Sequence, residues 1–211
     1  MKRQGIREKG FTLIELAIVL VIIGIILGAV LKGQDLIENA RHKRFISKQK
    51  AWEVAMWTFF DRKGRFAGDD NKNGKIGDGN VKTDLTGANF INQPYEVATG
   101  SETNTITLGS YTFYVFFGTD GGNDAGKNIM VICMADDCNT AFDSTQIQYI
   151  EALDTSIDGS ADGTKGQFRG VNAAGNVTLD EWEAYYSSSP NGDDWTAGTT
   201  KAAVYWFDAK K

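Results

Sequence analysis

Proline is nearly missing from this chain, and histidine almost entirely so. Only two of its 211 residues are proline, and none precedes Pro94, so nothing upstream of that point removes a helical N–H or forces a kink. The one histidine, His42, lies among Arg41, Lys43 and Arg44 and reads as part of a solvated helix face, not as a ligand or a base. A lone histidine leaves no Ser-His-Asp triad, and there is no glycine-rich phosphate loop, no HExxH and no CxxC pair. The adjacent carboxylates Asp136/Asp137 and Asp193/Asp194 fall in loop-like stretches and read as solvated. Two carboxylates set across a cleft stay open at this level, but the expectation is a protein that is not an enzyme. Cysteine is also scarce: Cys133 and Cys138, in VICMADDCN, are the whole complement. In the cytosol they would be free thiols near a strand end. Outside it they can pair across a very short loop, contributing roughly 2 kcal/mol on the chain-entropy model.

Charge of one sign is concentrated at the start. The first ten residues carry Lys2, Arg3, Arg7 and Lys9 against Glu8, a net of +3; the rest has 18 basic and 26 acidic residues, a net of −8. A body that acidic is a poor partner for phosphate backbones, so no nucleic acid is expected. The 24 glycines, with Asn and Asp, supply the turns that proline does not.

What is abundant is an apolar run. From Leu16 to Leu31, sixteen residues contain no polar side chain, and FTLIE extends the stretch back to Phe11, 21 residues in all. About 20 apolar residues in a helix cross a bilayer, and this run has no polar face that a soluble helix would show. The basic leader is expected on the cytoplasmic side and the remaining 180 residues opposite. A secretory signal peptide would be shorter and end at a small-residue cut; here the run continues into LKGQDLIENARHKRF, which looks helical. Glu15 is the exception inside the run. A carboxylate among membrane residues costs about 2.5–3.5 kcal/mol at mid-span and less near an interface. Either it reaches the headgroups, or it has a cationic partner. A cut after Gly10 would create one, because Phe11 would gain a free α-amine one turn away and the same amine would exist on every neighbouring copy.

The residues KGFTLIELAIVLVIIGII resemble the cleavage and methylation signal of type IV prepilins and type II secretion pseudopilins. The resemblance implies that a membrane-embedded aspartic prepilin peptidase cuts after Gly10 and N-methylates Phe11, and that Glu15 guides subunit docking. Implied partners are copies of the chain or related pilins in a filament, the peptidase, an inner-membrane assembly platform, and the membrane before assembly. The implied location is a single-pass inner-membrane protein with a cytoplasmic leader and periplasmic head, then a pilus or pseudopilus. Many major pilins kink this helix with a proline; this chain does not.

Beyond the apolar run the pattern becomes amphipathic. Leu36, Ile37, Ala40, Phe45, Ile46, Trp52, Ala55, Met56, Phe59 and Phe60 recur mostly at three- and four-residue steps, and Gly64 supplies a stop. A continuous helix from Phe11 to Arg62 would be roughly 78 Å long. Its second half is expected to pack under a head whose core includes Trp52, Trp57, Phe59 and Phe60. In the head, Thr103–Leu108 and Tyr111–Phe117 flank Gly109-Ser110 as a hairpin, Asn128–Ala135 is a third strand, residues 140–153 a short helix, and Ala202–Ala209 a final strand. The expected fold is α+β: a long N-terminal helix against a small antiparallel sheet with long loops, divided as leader 1–10, helix 11–62 and head 63–211.

Asp69-x-Asn71-x-Asn73-Gly74-x-Ile76 opens like a calcium loop, with the Lys75 carbonyl turned inward; Asn80 stands where a bidentate Glu is usual, and Asp78 is a nearby substitute. Asp158-x-Ser160-x-Asp162-Gly163 is a weaker match, with Arg169 at the last position. Plain Asx-turn loops have the same composition. The function that emerges is a cleaved and methylated subunit of a type IV pilus-like filament. The alternatives are a type II secretion pseudopilin, or a membrane-anchored, calcium-dependent adhesion or binding module that never polymerises.

Overall fold

The computed structural model describes residues 10–98, 101–121, 126–173, 177–186 and 192–208. The leader residues 1–9 and Ala209 lie outside them. With no proline in its path, one helix, α1, runs from Leu13 to Lys63 and stops at Gly64, whose φ of +71° and N–H bond to Phe60 O (2.7 Å) close the last turn. The chain divides into two compact units within α1, between Arg41 and His42.

In the first unit α1 is bare. It is long and apolar enough to cross a membrane, and none of its most apolar window is buried. Leu36 and Ile37 are exposed as well. His42 is half-buried, not solvated as its basic neighbours suggested, because its ring meets that of Tyr149 edge-on at 4.7 Å.

The second unit holds α2 (Val81–Gly87), a small hairpin of β1 (Glu96–Ala98) and β2 (Ser101–Thr103), and a sheet built from β3 (Thr105–Leu108), β4 (Tyr111–Asp120), β5 (Asn128–Cys133), β6 (Phe168–Val171), β7 (Val177–Asp180), β8 (Glu183–Tyr186) and β9 (Ala202–Tyr205), with α3 (Ser144–Asp158) between β5 and β6. Among the described residues the sheet order is β6-β9-β5-β4-β8-β7, and β3 adds to β4. The sheet is mixed where an antiparallel one was expected: β8 runs parallel to β4, with Gly118 opposite Ala184. A Cβ at Gly118 would run into the Ala184 backbone, so this glycine permits the close parallel pairing. α3 starts later and ends later than its periodicity suggested. Asp143 caps it, accepting from Thr145 N and Gln146 N (both 2.8 Å), while Gln146 Oε1 accepts from Asp143 N (2.7 Å).

The central strands are buried on both faces. On one, Phe113, Val115 and Phe117 of β4 and Met130 and Ile132 of β5 meet Phe45, Trp52, Met56 and Phe59 of α1 and Ile150 and Leu153 of α3. On the other, Phe116, Ile129, Val131, Cys133, Val204 and Trp206 form a second cluster. This double burial explains why NIMVIC is an unbroken apolar run and not an alternating one. Trp52 is the hub of the first cluster, fully buried with its ring centroid 5.6 Å from Trp182, 6.1 Å from Tyr95 and 6.2 Å from Phe117. Trp52→Ala is therefore expected to destabilise the head by about 3–5 kcal/mol. Denaturant unfolding of the detergent-solubilised chain checks this, and a loss below about 1 kcal/mol would show that Trp52 is not a core anchor.

Candidate functional site

α1 begins where its sequence provides a cap. Thr12 is followed three residues later by Glu15, and the two bond reciprocally: Glu15 Oε2 accepts from Thr12 N and from Thr12 Oγ1, each at 2.8 Å, and Glu15 N donates to Thr12 Oγ1 at 3.3 Å. The acid that had no evident partner in the sequence thus has one in its own chain, a T-x-x-E capping box readable from the residues and missed in favour of an intermolecular partner. Gly10 and Phe11 precede this cap and are both exposed, Phe11 at 93%. A Cβ at Gly10 would meet nothing within 4 Å.

The Asp69 loop folds around a wholly buried carboxylate. Asp69 Oδ1 accepts from Asn73 N and Oδ2 from Gly74 N (both 3.0 Å), Asn71 Oδ1 from Asn73 N (2.9 Å), and Asn73 Oδ1 from Lys75 N (2.7 Å). Asp78 closes the loop by accepting from Asp70 N (2.8 Å) and Asn71 N (2.9 Å), whereas Asn80 caps α2 through Thr83 N. The loop is moored by a residue that the sequence did not mark. Asn128 at the start of β5 accepts from Ile76 N (2.9 Å) and donates to Gly74 O (2.8 Å) and Asp208 Oδ2 (2.7 Å). The second loop is arranged differently: Asp158 Oδ2 accepts from Gln167 N and Phe168 N, while Asp162 turns to Thr164 and Lys165. Among the described residues no three Asp, Glu, His or Cys side chains converge as a metal-binding group.

Residues 6–31 match the family model described as the prokaryotic N-terminal methylation motif. The chain carries the prepilin-type signature. No curated protein and no solved structure matches it. The prepilin-type signature covers Gly10, Phe11 and the Thr12–Glu15 cap together with the apolar part of α1. Cys133 and Cys138 form a disulfide, with Cα atoms 5.1 Å apart at the end of β5.

Two buried acids escaped the sequence reading because nothing local marks them. Asp154, fully buried on α3, accepts from Trp195 Nε1 (2.7 Å) and Asp162 N (2.8 Å) through Oδ2, and its Oδ1 has no hydrogen-bond partner among the described residues. Burial, reinforced by the charges of Asp158 and Asp162, pushes its carboxyl up to about 6. Glu183 on β8, which accepts from Val81 N at 2.9 Å, is pushed by burial to about 6 as well. Raised folded values mean that the folded state binds protons more tightly than the unfolded chain. These groups therefore favour folding at acid pH, and that contribution is lost as pH rises from about 4 through about 6. Asp154→Asn is expected to flatten this part of the pH–stability curve in detergent. Identical slopes in wild type and variant would remove Asp154 as a source.

Proposed function

We propose that the chain is the precursor of a structural subunit of a type IV pilus-like filament, cut after Gly10 and N-methylated at Phe11 by a prepilin peptidase. The observation that carries the reading is the prepilin-type signature running into a helix whose most apolar window is unburied among the described residues. On this reading residues 1–10 are a cytoplasmic leader, 11–62 the membrane and assembly helix, and 63–211 the head outside the inner membrane. The same reasoning accommodates a type II secretion pseudopilin; a pilus subunit is favoured. Before assembly, Glu15 is satisfied by Thr12. In the filament, the α-amine of a neighbour's Phe11 replaces that neutral donor with a charged one, strengthening the bond and setting subunit register.

The mature chain is expected to start at Phe11 and to be one methyl group heavier than its residues. Glu15→Gln keeps the acceptor for Thr12 but removes the charge, and is expected to leave membrane insertion and cleavage intact while reducing filament yield at least tenfold. Glu15→Ala is expected to do the same. N-terminal sequencing and sheared-filament yields read the outcome; an uncut Met1 start sinks the processing step, and full filament yield from both variants sinks the role of Glu15.

A calcium ion in the Asp69 loop is a second proposal. It is supported by the donor chemistry: a sealed carboxylate, the Asn71 and Asn73 amide oxygens and the Asp78 carboxylate are hard oxygens of the kind calcium takes. Calcium would neutralise the loop's carboxylates and stiffen the link from α1 to α2. The expected result is a melting midpoint several degrees higher in millimolar calcium than in chelator; an unchanged midpoint means that the loop's own N–H donors hold it.

A further inference from the structure

β4 is longer than either neighbour on one of its edges. β3 pairs with Tyr111–Tyr114 and β8 with Phe117–Asp120, so the edge is interrupted at Val115 and Phe116. Its backbone is nevertheless satisfied there: Val115 N donates to Asn104 O and Asn104 Nδ2 to Val115 O, both at 2.7 Å, which leaves no room for an added strand. Over this interruption lies a groove of about 430 Å³. Tyr114 and Leu179 are half-buried in its floor, and Glu102, Asp136, Asp180 and Glu181 stand on its rim. Glu181 is paired with Lys82 at 2.6 Å. Among the described residues Glu102, Asp136 and Asp180 have no ion-pair partner. The disulfide adds to this arrangement, since Cys133, opposite Tyr114, is bonded to Cys138 and thereby ties down the short turn that carries Asp136.

The chain also carries a matching surface. On α1, Lys43, Ser47, Lys50, Val54 and Trp57 recur at alternating steps of four and three and are all exposed, forming one stripe with cations at one end and apolar groups at the other. Residues 41–50 hold five basic side chains and no acid, in a body that otherwise carries a large acidic excess. The stripe cannot fill the groove of its own chain. α1 packs on the β4 face that presents Phe113 and Phe117, whereas Tyr114 and Phe116 point to the other face.

We infer that the groove receives the Lys43–Trp57 stripe of α1 from a second copy of the chain, with Lys43 and Lys50 on the acidic rim and Val54 and Trp57 on the apolar floor. This rests on the assembly reading above, to which it adds a contact between head and helix. Charge complementarity sets the register, and like-charged heads are kept from meeting in other orientations.

Carbodiimide coupling of the full chain in its native membrane tests the contact without requiring filaments. Covalent dimers are expected in which Lys43 or Lys50 is joined to Glu102 or Asp136, with a yield several-fold lower in 0.5 M salt than at low salt. Glu102→Lys with Asp136→Lys, and Lys43→Glu with Lys50→Glu, should each reduce these dimers at least tenfold. Combining all four substitutions should restore them to within about threefold, because the swapped pairs still couple. Absence of such cross-links from wild type, or a fourfold variant no better than either double, overturns the inference. So does a result in which only the lysine changes matter and they act by lowering retention on anionic vesicles, because the lysines then serve a membrane. Cross-links without filaments would sink the filament reading alone; full filament yield from the Glu102/Asp136 variant would sink the groove alone.

Discussion

Sixteen consecutive helical residues without a polar side chain are poorly accommodated in water, and the rest of this molecule follows from that constraint. The run from Leu16 to Leu31 has no polar face, and none of it is buried among the described residues. Its backbone is satisfied internally by the helical ladder, which is what a lipid environment demands. At its start the chain has to place one carboxylate without leaving it unsatisfied. The Thr12–Glu15 cap does this with groups already needed to begin the helix. The same local geometry keeps Gly10 and Phe11 exposed ahead of the first turn. The helix cap thus lies inside the segment that matches the N-terminal methylation motif.

The head solves the complementary problem of holding the amphipathic end of the same helix. Phe45, Trp52, Met56 and Phe59 supply one layer of core, and β4 and β5 the next. A second cluster lines the far face of those strands, so the middle of the sheet is buried on both sides. Loops then do much of the polar work. Asn128, Glu183 and Asp154 are buried side chains that accept backbone N–H groups from the 64–81 and 158–166 segments, satisfying donors that regular structure leaves over. Glu183 and Asp154 are held there as acids raised above their ordinary range, so the groups that tie down the head's loops favour the fold most when protonated.

Much of this was legible in the residues, and the parts that were not share a cause. The apolar run, the stop at Gly64, the hairpin over Gly109-Ser110 and the aromatic stripe from Phe45 to Phe59 are local patterns with local physical causes. The Thr12–Glu15 cap is equally local, a T-x-x-E pattern at the head of the apolar run. β6, β7 and β8 leave no comparable pattern, since each is only four residues long and lies among Gly-, Asp- and Ser-rich turns. The parallel pairing of β8 with β4 depends on Gly118 and Ala184, 66 positions apart, allowing backbones to approach closely.

By itself the sequence determined the membrane-competent helix, its capped start, the prepilin-type signature and the amphipathic stripe, because periodicity and capping act within a few residues. Only the tertiary structure decided that Cys133 and Cys138 pair, that Asp154 and Glu183 are buried, and that an interrupted β4 edge forms an acid-rimmed groove facing away from the chain's own helix. Those outcomes depend on which distant segments share a sheet face, and a contact between residues a hundred positions apart leaves no mark in the local pattern of either.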